Sequence, residues 1–190
     1  MTFGALLIAA AGGLFVFNTL TENKAGESAD EVLSEFEEVI GNSEKATVEN
    51  DEKGEKTISL DGEKYIGIIS IPSIGVELPV QSEYSLEKMK NAPCRYRGTL
   101  LDGDIIICAH NYRRHFGNLH HTSIGDKVYF TDAAGLTYTY EIVFAQRIDS
   151  YGIEEMTADG DWDMTLFTCT YSGRQRYTLR LKRVLEFVSD

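Results

Sequence analysis

The sequence is poor in the residues that build small crosslinked scaffolds. Three cysteines, a small and odd number, exclude a disulfide-built fold and leave at least one thiol free or paired between chains. Three prolines in 190 residues, with 43% hydrophobic residues, exclude a collagen-like or wholly disordered chain. Cationic residues are also short: 18 Lys and Arg stand against 30 Asp and Glu, a net charge of −12. Phosphate backbones are bound by Lys and Arg, so a nucleic-acid partner is disfavoured. Long apolar runs are missing save one, which excludes a multi-pass membrane protein. The length fits one domain with something attached.

The acidity is uneven. Residues 21–60 hold 12 Asp and Glu against four Lys, whereas residues 61–190 hold 18 acids and 14 bases. The one apolar run, Phe3 to Leu20, has 18 residues and no charge. That is near the ~20 residues needed to span a bilayer. A cleaved signal peptide would want a basic start and a small-x-small site, and neither is present. A buried core helix is the other alternative. A retained anchor over 1–24 is expected, with the long C-terminal part outside. Next, Ser28 and Glu31 form a capping-box pattern, and Val32, Phe36, Val39 and Ile40 fall on one helical face. Residues 25–61 are therefore expected to be an acidic stalk helix, ending at Gly41-Asn42, and then a polar linker.

From residue 62 the texture changes. Short β-branched and aromatic runs recur at 65–71, 76–80, 105–109, 127–131, 137–144, 164–169 and 176–184, with little helix besides a short one over 85–91. Such spacing predicts a mainly β fold, a closed or nearly closed barrel of seven to eight strands, over 62–190. Pro79 marks an edge or bend.

Two strands end in reactive side chains. Cys169 closes one run before the loop Thr170-Tyr171-Ser172-Gly173, and His110 closes Ile105–Ala109 before Asn111. A nucleophilic cysteine needs a nearby His or cation to raise its thiolate fraction. Arg174, Arg176 and Arg180 follow Cys169 closely. By residue type alone, a strand cysteine is more often core packing.

Thr165-Leu166-Phe167-Thr168-Cys169, with a basic residue opening the next strand, resembles the Thr-Leu-x-Thr-Cys signature of the sortases, cysteine transpeptidases on the outer face of Gram-positive membranes. Ile106 to Asn111 is similar to that family's strand ending in Gly-His, with Ala109 in place of the usual Gly. His115-Phe116-Gly117-Asn118-Leu119, then Gly125 to Val128, matches the segment after that histidine. Ile71-Pro72 and Leu78-Pro79-Val80 resemble its first strands. The likeness covers about 62–187, without deciding between a class B-like and a class C- or D-like relative.

The resemblance implies that Cys169 attacks the Thr carbonyl of a secreted protein's Leu-Pro-x-Thr-Gly-like sorting signal. His110 would shuttle the proton, and Arg176 would steady the oxyanion or substrate backbone. The acyl group would pass to an amine of cell-wall precursor or of a pilin subunit. Leu166, Thr168 and Asn111 would hold the substrate, and no cofactor or metal is required. A single-pass membrane protein with an extracellular catalytic domain is implied. Arg176 is preferred over Arg174, which falls in the loop, on the expectation that its side chain faces inward at the barrel mouth near the strand's start.

Other assignments are weaker. His110, His115, His120 and His121 lack the tight Cys or acid spacing of a zinc site. Asp102, Asp104, Asp159, Asp161 and Asp163 lack a calcium-loop pattern. Cys94 and Cys108 are read as core residues, with a disulfide as the alternative. A papain-like enzyme would place Cys before His and on a helix. A non-enzymatic extracytoplasmic β-domain remains the competing class, and it expects Cys169 to be buried and far from His110.

Overall fold

The computed structural model describes residues 2–41 and 48–185. Ten strands form one sheet: β1 (Val48–Asn50), β2 (Lys56–Leu60), β3 (Glu63–Ile71), β4 (Val76–Gln81), β5 (Cys94–Arg97), β6 (Ile105–Cys108), β7 (Lys127–Asp132), β8 (Thr137–Asp149), β9 (Met164–Cys169) and β10 (Gln175–Arg183). Their order is β1-β2-β3-β4-β5-β6-β9-β10-β8-β7, and β7 pairs back onto β3. Strands β3 to β10 thus close an eight-stranded barrel, the fold expected from strand spacing, with β1 and β2 as an appended hairpin. Closure removes the unpaired edges that an open sheet would expose.

Alternation along the strands fills the interior. Ile69 and Ile71, Leu78 and Val80, Ile105 and Ile107, Leu166, and Leu179 and Leu181 meet in the main core. The opposite faces of β6, β9 and β10 are also covered. There Ile106, Cys108 and Phe167 pack with Cys94, Met156 and Ile148 in a second layer. Pro79 is tolerated because its strand is almost an edge: beyond β3, β4 meets β5 only at Gln81 opposite Cys94.

The structure departs from expectation over the stretch read as linker. Residues 48–60 form β1 and β2, with Thr57, Ile58 and Leu60 buried. Residues 42–47, part of the same expected linker, and 186–190 lie outside the described residues. The strand β5 also escaped pattern reading. Its Cys-Arg-Tyr-Arg sequence is only four residues long and half arginine, and Arg95 is 4% exposed. Its guanidinium donates to Ser82 O (2.9 Å), Glu55 Oε2 (2.5 Å) and the Asp51 carboxylate. Glu55 also accepts the Leu100 N–H, yet burial pushes its pKa up. Removing Arg95 strands a buried carboxylate. Arg95→Ala is expected to lower unfolding free energy at pH 7 by about 3–5 kcal/mol, read by urea denaturation.

One helix, α1 (Thr2–Gly41), runs through both the expected anchor and the expected stalk. Ser28 does not start a helix; it lies inside this one, because no proline interrupts residues 21–27 and the helix runs on through Asn23 and Gly26, where it packs against Arg113 and Arg114. Its two parts differ. Residues 6–20 are exposed, and Thr19 and Thr21 return their hydroxyls to Phe15 O and Phe17 O at 2.9 Å. Among the described residues it is the helix long and apolar enough to cross a membrane. From residue 25 the helix packs on the barrel. Ala29 joins the main core, and Phe36, Val32, Leu33, Val39 and Ile40 cover Ile58, Leu60, Tyr65 and Ala133. The face expected from helical spacing is the face that is buried.

Candidate active site

The parallel pair β6 and β9 sets the site. Ile105 faces Met164 and the register continues to Cys108 opposite Phe167. Past the strand ends, Ala109 N–H donates to Phe167 O (3.3 Å) and the Thr168 hydroxyl donates to Ala109 O (2.9 Å). One further residue brings His110 level with Cys169. On the other side, antiparallel β10 places Arg176 directly opposite Cys169. Neighbouring strands lie ~4.8 Å apart, so the three residues form a row about 10 Å long across adjacent strands.

Parity fixes the face. Thr165, Phe167 and Cys169 alternate with Met164, Leu166 and Thr168, and the second set faces the main core. On β10, Arg176, Thr178 and Arg180 pair with Cys169, Phe167 and Thr165. On β6, Ile106 and Cys108 lie in the second layer, which puts His110 there too. His110, Cys169 and Arg176 therefore share the face turned away from the barrel interior. The expectation of an inward-facing arginine is corrected: the interior is filled by Tyr177, Leu179 and Leu181.

Cys169 is exposed, whereas Cys94 and Cys108 are buried free thiols. Arg176 Nη1 donates to Ser150 O, and its Cζ sits 6.0 Å from the Phe167 ring centroid. Arg174 has an exposed side chain, and its backbone carbonyl accepts the Ser150 N–H at 3.0 Å. Arg180 is buried and committed elsewhere. It donates to Met156 O (2.8 Å), Thr165 Oγ1 (2.8 Å) and Glu155 O (2.7 Å), tying down the short helix α2 (Ile153–Met156).

His110 is half-buried and stacks on Tyr112, centroids 4.9 Å apart at 26°. Burial, and then the charge of Lys90, lower its pKa below the usual 6.5. A neutral imidazole beside an exposed thiol can accept its proton. Tyr112 leads on to His115, whose ring lies 5.4 Å away and is fully buried. Neither ring nitrogen of His115 has a hydrogen-bond partner. Burial, and then the charge of His110, push its pKa down to about 4. Between pH 6.5 and pH 4 the unfolded chain then takes up a proton that the folded chain refuses. Stability should fall through that window as pH drops, by up to about 3 kcal/mol, and His115→Phe should flatten that part of the profile in denaturant titrations at pH 7 and pH 4.5.

The expected substrate residues divide. Leu166 is fully buried in the main core on the far side of its strand and cannot touch anything bound at Cys169. Thr168 and Asn111 line a cavity of about 370 Å³ beside Cys169, with His120, Arg147 and Tyr177. On the other flank an aromatic run leads away: Tyr84 to Tyr96 at 5.1 Å, then Tyr96 to Phe167 at 5.5 Å, both edge-on. This run escaped sequence reasoning. Its one signal was parity, since residue 167, not 166, shares the face of residue 169.

The chain is similar to known proteins over the barrel. The sortase domain family matches residues 69–184. Sortase A of Bacillus anthracis is 28% identical over 116 residues, 58% of this chain and 55% of that protein, so the chain spans about half the length of that curated relative. The structure of sortase C1 from Streptococcus suis superposes with a TM-score of 0.57 at 27% identity, covering 65% of this chain and 75% of that one. The Clostridium perfringens sortase D5 transpeptidase is alike in fold, with a TM-score of 0.64 at 22% identity over 84% of this chain and 99% of that one. With the family match running from Ile69, late in β3, to the end of β10, more than half of its length, the chain belongs to the sortase family.

Proposed function

We propose that this chain is a membrane-anchored cysteine transpeptidase that cleaves a Leu-Pro-x-Thr-Gly-like sorting signal after Thr. The acyl group then passes to an amine of cell-wall precursor or of a pilin subunit. The observation that carries this reading is the row of His110, Cys169 and Arg176 on three adjacent strands, with Cys169 exposed. In the proposed sequence His110 takes the Cys169 proton and the thiolate attacks the Thr carbonyl. Arg176 donates charge-assisted hydrogen bonds to the oxyanion or to the substrate backbone beside it. The imidazolium returns its proton to the departing glycine amine, leaving a thioester on Cys169. An incoming amine then loses a proton to His110 as it displaces the thiolate. The Tyr84, Tyr96 and Phe167 run suits the Leu-Pro end of the donor, by apolar contact with ring faces.

The apolar residues 3–20 are proposed to be a single-pass anchor, with the barrel outside the cell. A non-enzymatic β-domain is the lesser reading, since it expects a buried Cys169. Incubating the purified barrel with a panel of labelled sorting-signal peptides and short oligoglycine amines tests the proposal. Transfer products are expected, and no turnover of any peptide by folded protein would count against it. The lowered His110 pKa gives a second check. Lys90→Gln removes a cation that disfavours the imidazolium, so the acid limb of kcat/KM should move to higher pH.

A further inference from the structure

The helix α1 gives the barrel a direction. At one end, Ile40 lies against Gly135, and Phe36 packs among Tyr65, Ile68 and Ala133, beside the β7–β8 turn. About four turns earlier the helix reaches the loop that follows His110. Asp30 pairs with Arg114, the Glu22 carboxylate accepts the Arg113 N–H, and a Cβ on Gly26 would sit 2.4 Å from Arg114 Cδ. The helix therefore climbs the barrel wall toward the end that carries His110, Cys169 and Arg176. It continues unbroken into the exposed apolar turns of residues 6–20.

From Glu22 to Leu20 is a rise of ~3 Å, whereas from Leu20 to Ile40 is ~30 Å. With residues 3–20 in a bilayer, the His110 end lies beside the membrane and the opposite end stands well clear. The surface agrees. The His110 end exposes Tyr151 (92%) and Tyr171 (81%), and also Arg113, Arg114, Arg147 and Arg174. Tyrosine and arginine are residues of the membrane interface. Asp149, Glu154 and Glu155, with Glu22 and Asp30 of the helix, offset these arginines. The opposite end carries Asp61, Asp102, Asp104 and Asp159 interspersed with Arg97, Arg183 and the Lys182–Asp161 pair, and among the described residues has no comparable pair of highly exposed tyrosines.

We infer that the phospholipid headgroup layer is the docking partner of the His110 end, so that Cys169 opens onto the bilayer surface and meets substrates held there. The inference rests on the anchor proposed above, but not on the chemistry at Cys169.

The test uses the full chain carrying Cys169→Ala, in which the remaining thiols, Cys94 and Cys108, are fully buried. A fluorophore is attached through Tyr171→Cys or, at the far end, Asp161→Cys. Each protein is placed in phosphatidylcholine–phosphatidylglycerol vesicles with nitroxide-labelled headgroups. The probe at 171 should be quenched several-fold more than the probe at 161. A flexible ten-residue Gly-Ser insert between Leu20 and Thr21 should shrink that difference. Equal quenching, or stronger quenching at 161, overturns the inference. Failure to sediment with vesicles overturns the anchor and this orientation with it. Soluble-peptide turnover, assayed on the unsubstituted chain, separately tests the transpeptidase reading.

Discussion

Cys169→Ala and His110→Ala should each reduce peptide cleavage and amine transfer by about 10⁴-fold or more, the scale seen when one member of a nucleophile–base pair is lost. Cys169 is the exposed thiol among the three cysteines, and His110 lies two residues past the end of the neighbouring parallel strand, which brings it to the same level. Without the thiol no acyl-enzyme forms. Without the imidazole the thiol keeps its proton and the leaving amine gains none. The double variant should be little worse than either single one, because the two side chains act as a unit. Thermal melts should stay close to the parent, since neither side chain is part of the main core. Turnover kept at a tenth of the parent rate in Cys169→Ala would move the chemistry elsewhere.

Arg176→Ala should cost about 100-fold in turnover, the scale of losing one oxyanion donor. Three arginines lie close together in sequence, and the fold separates them. Arg176 pairs directly with Cys169, shares its face, and is aimed by the Ser150 carbonyl. Arg174 presents its side chain to solvent, so Arg174→Ala should change turnover far less. Arg180 is buried under α2, four residues along the strand, ~13 Å away at strand rise. Arg180→Ala should act through stability, by stranding Met156 O, Glu155 O and Thr165 Oγ1. Arg176→Lys should recover turnover only in part, because a point ammonium cannot reproduce the guanidinium fork. A transpeptidation assay ranking Arg174→Ala as the worse variant would assign the role to Arg174.

Much of this arrangement is written in short patterns. Strand runs with period two predict the barrel, and the Thr-Leu-Phe-Thr-Cys and Ala-His-Asn segments mark the ends where function gathers. Burial of Val32, Phe36, Val39 and Ile40 follows from helical spacing. Failures arise where long-range contacts replace local pattern. Strand β5 carries arginines because Glu55 and Asp51, about forty residues earlier, neutralise Arg95. Strand β2 lies in a charged stretch and is held by pairing with β3 and by the helix above it. Continuity of α1 is supported by contacts with residues 113–114, 91 and 84 positions away. Leu166 was a misreading of parity rather than a missing signal. Residues adjacent in a motif alternate faces on a strand, so the motif's own Leu belongs to the core and Phe167 to the site.

Intact-mass analysis of the barrel mixed with a Leu-Pro-x-Thr-Gly-like peptide, quenched in acid within seconds, traps the acyl-enzyme if Cys169 is the nucleophile. The expected species carries the peptide's acyl group up to and including Thr in place of the Cys169 thiol hydrogen, and an added amine discharges it with formation of the new amide. Folded protein whose Cys169 stays unmodified while the peptide is cleaved would contradict that role, as would an adduct that no amine can discharge.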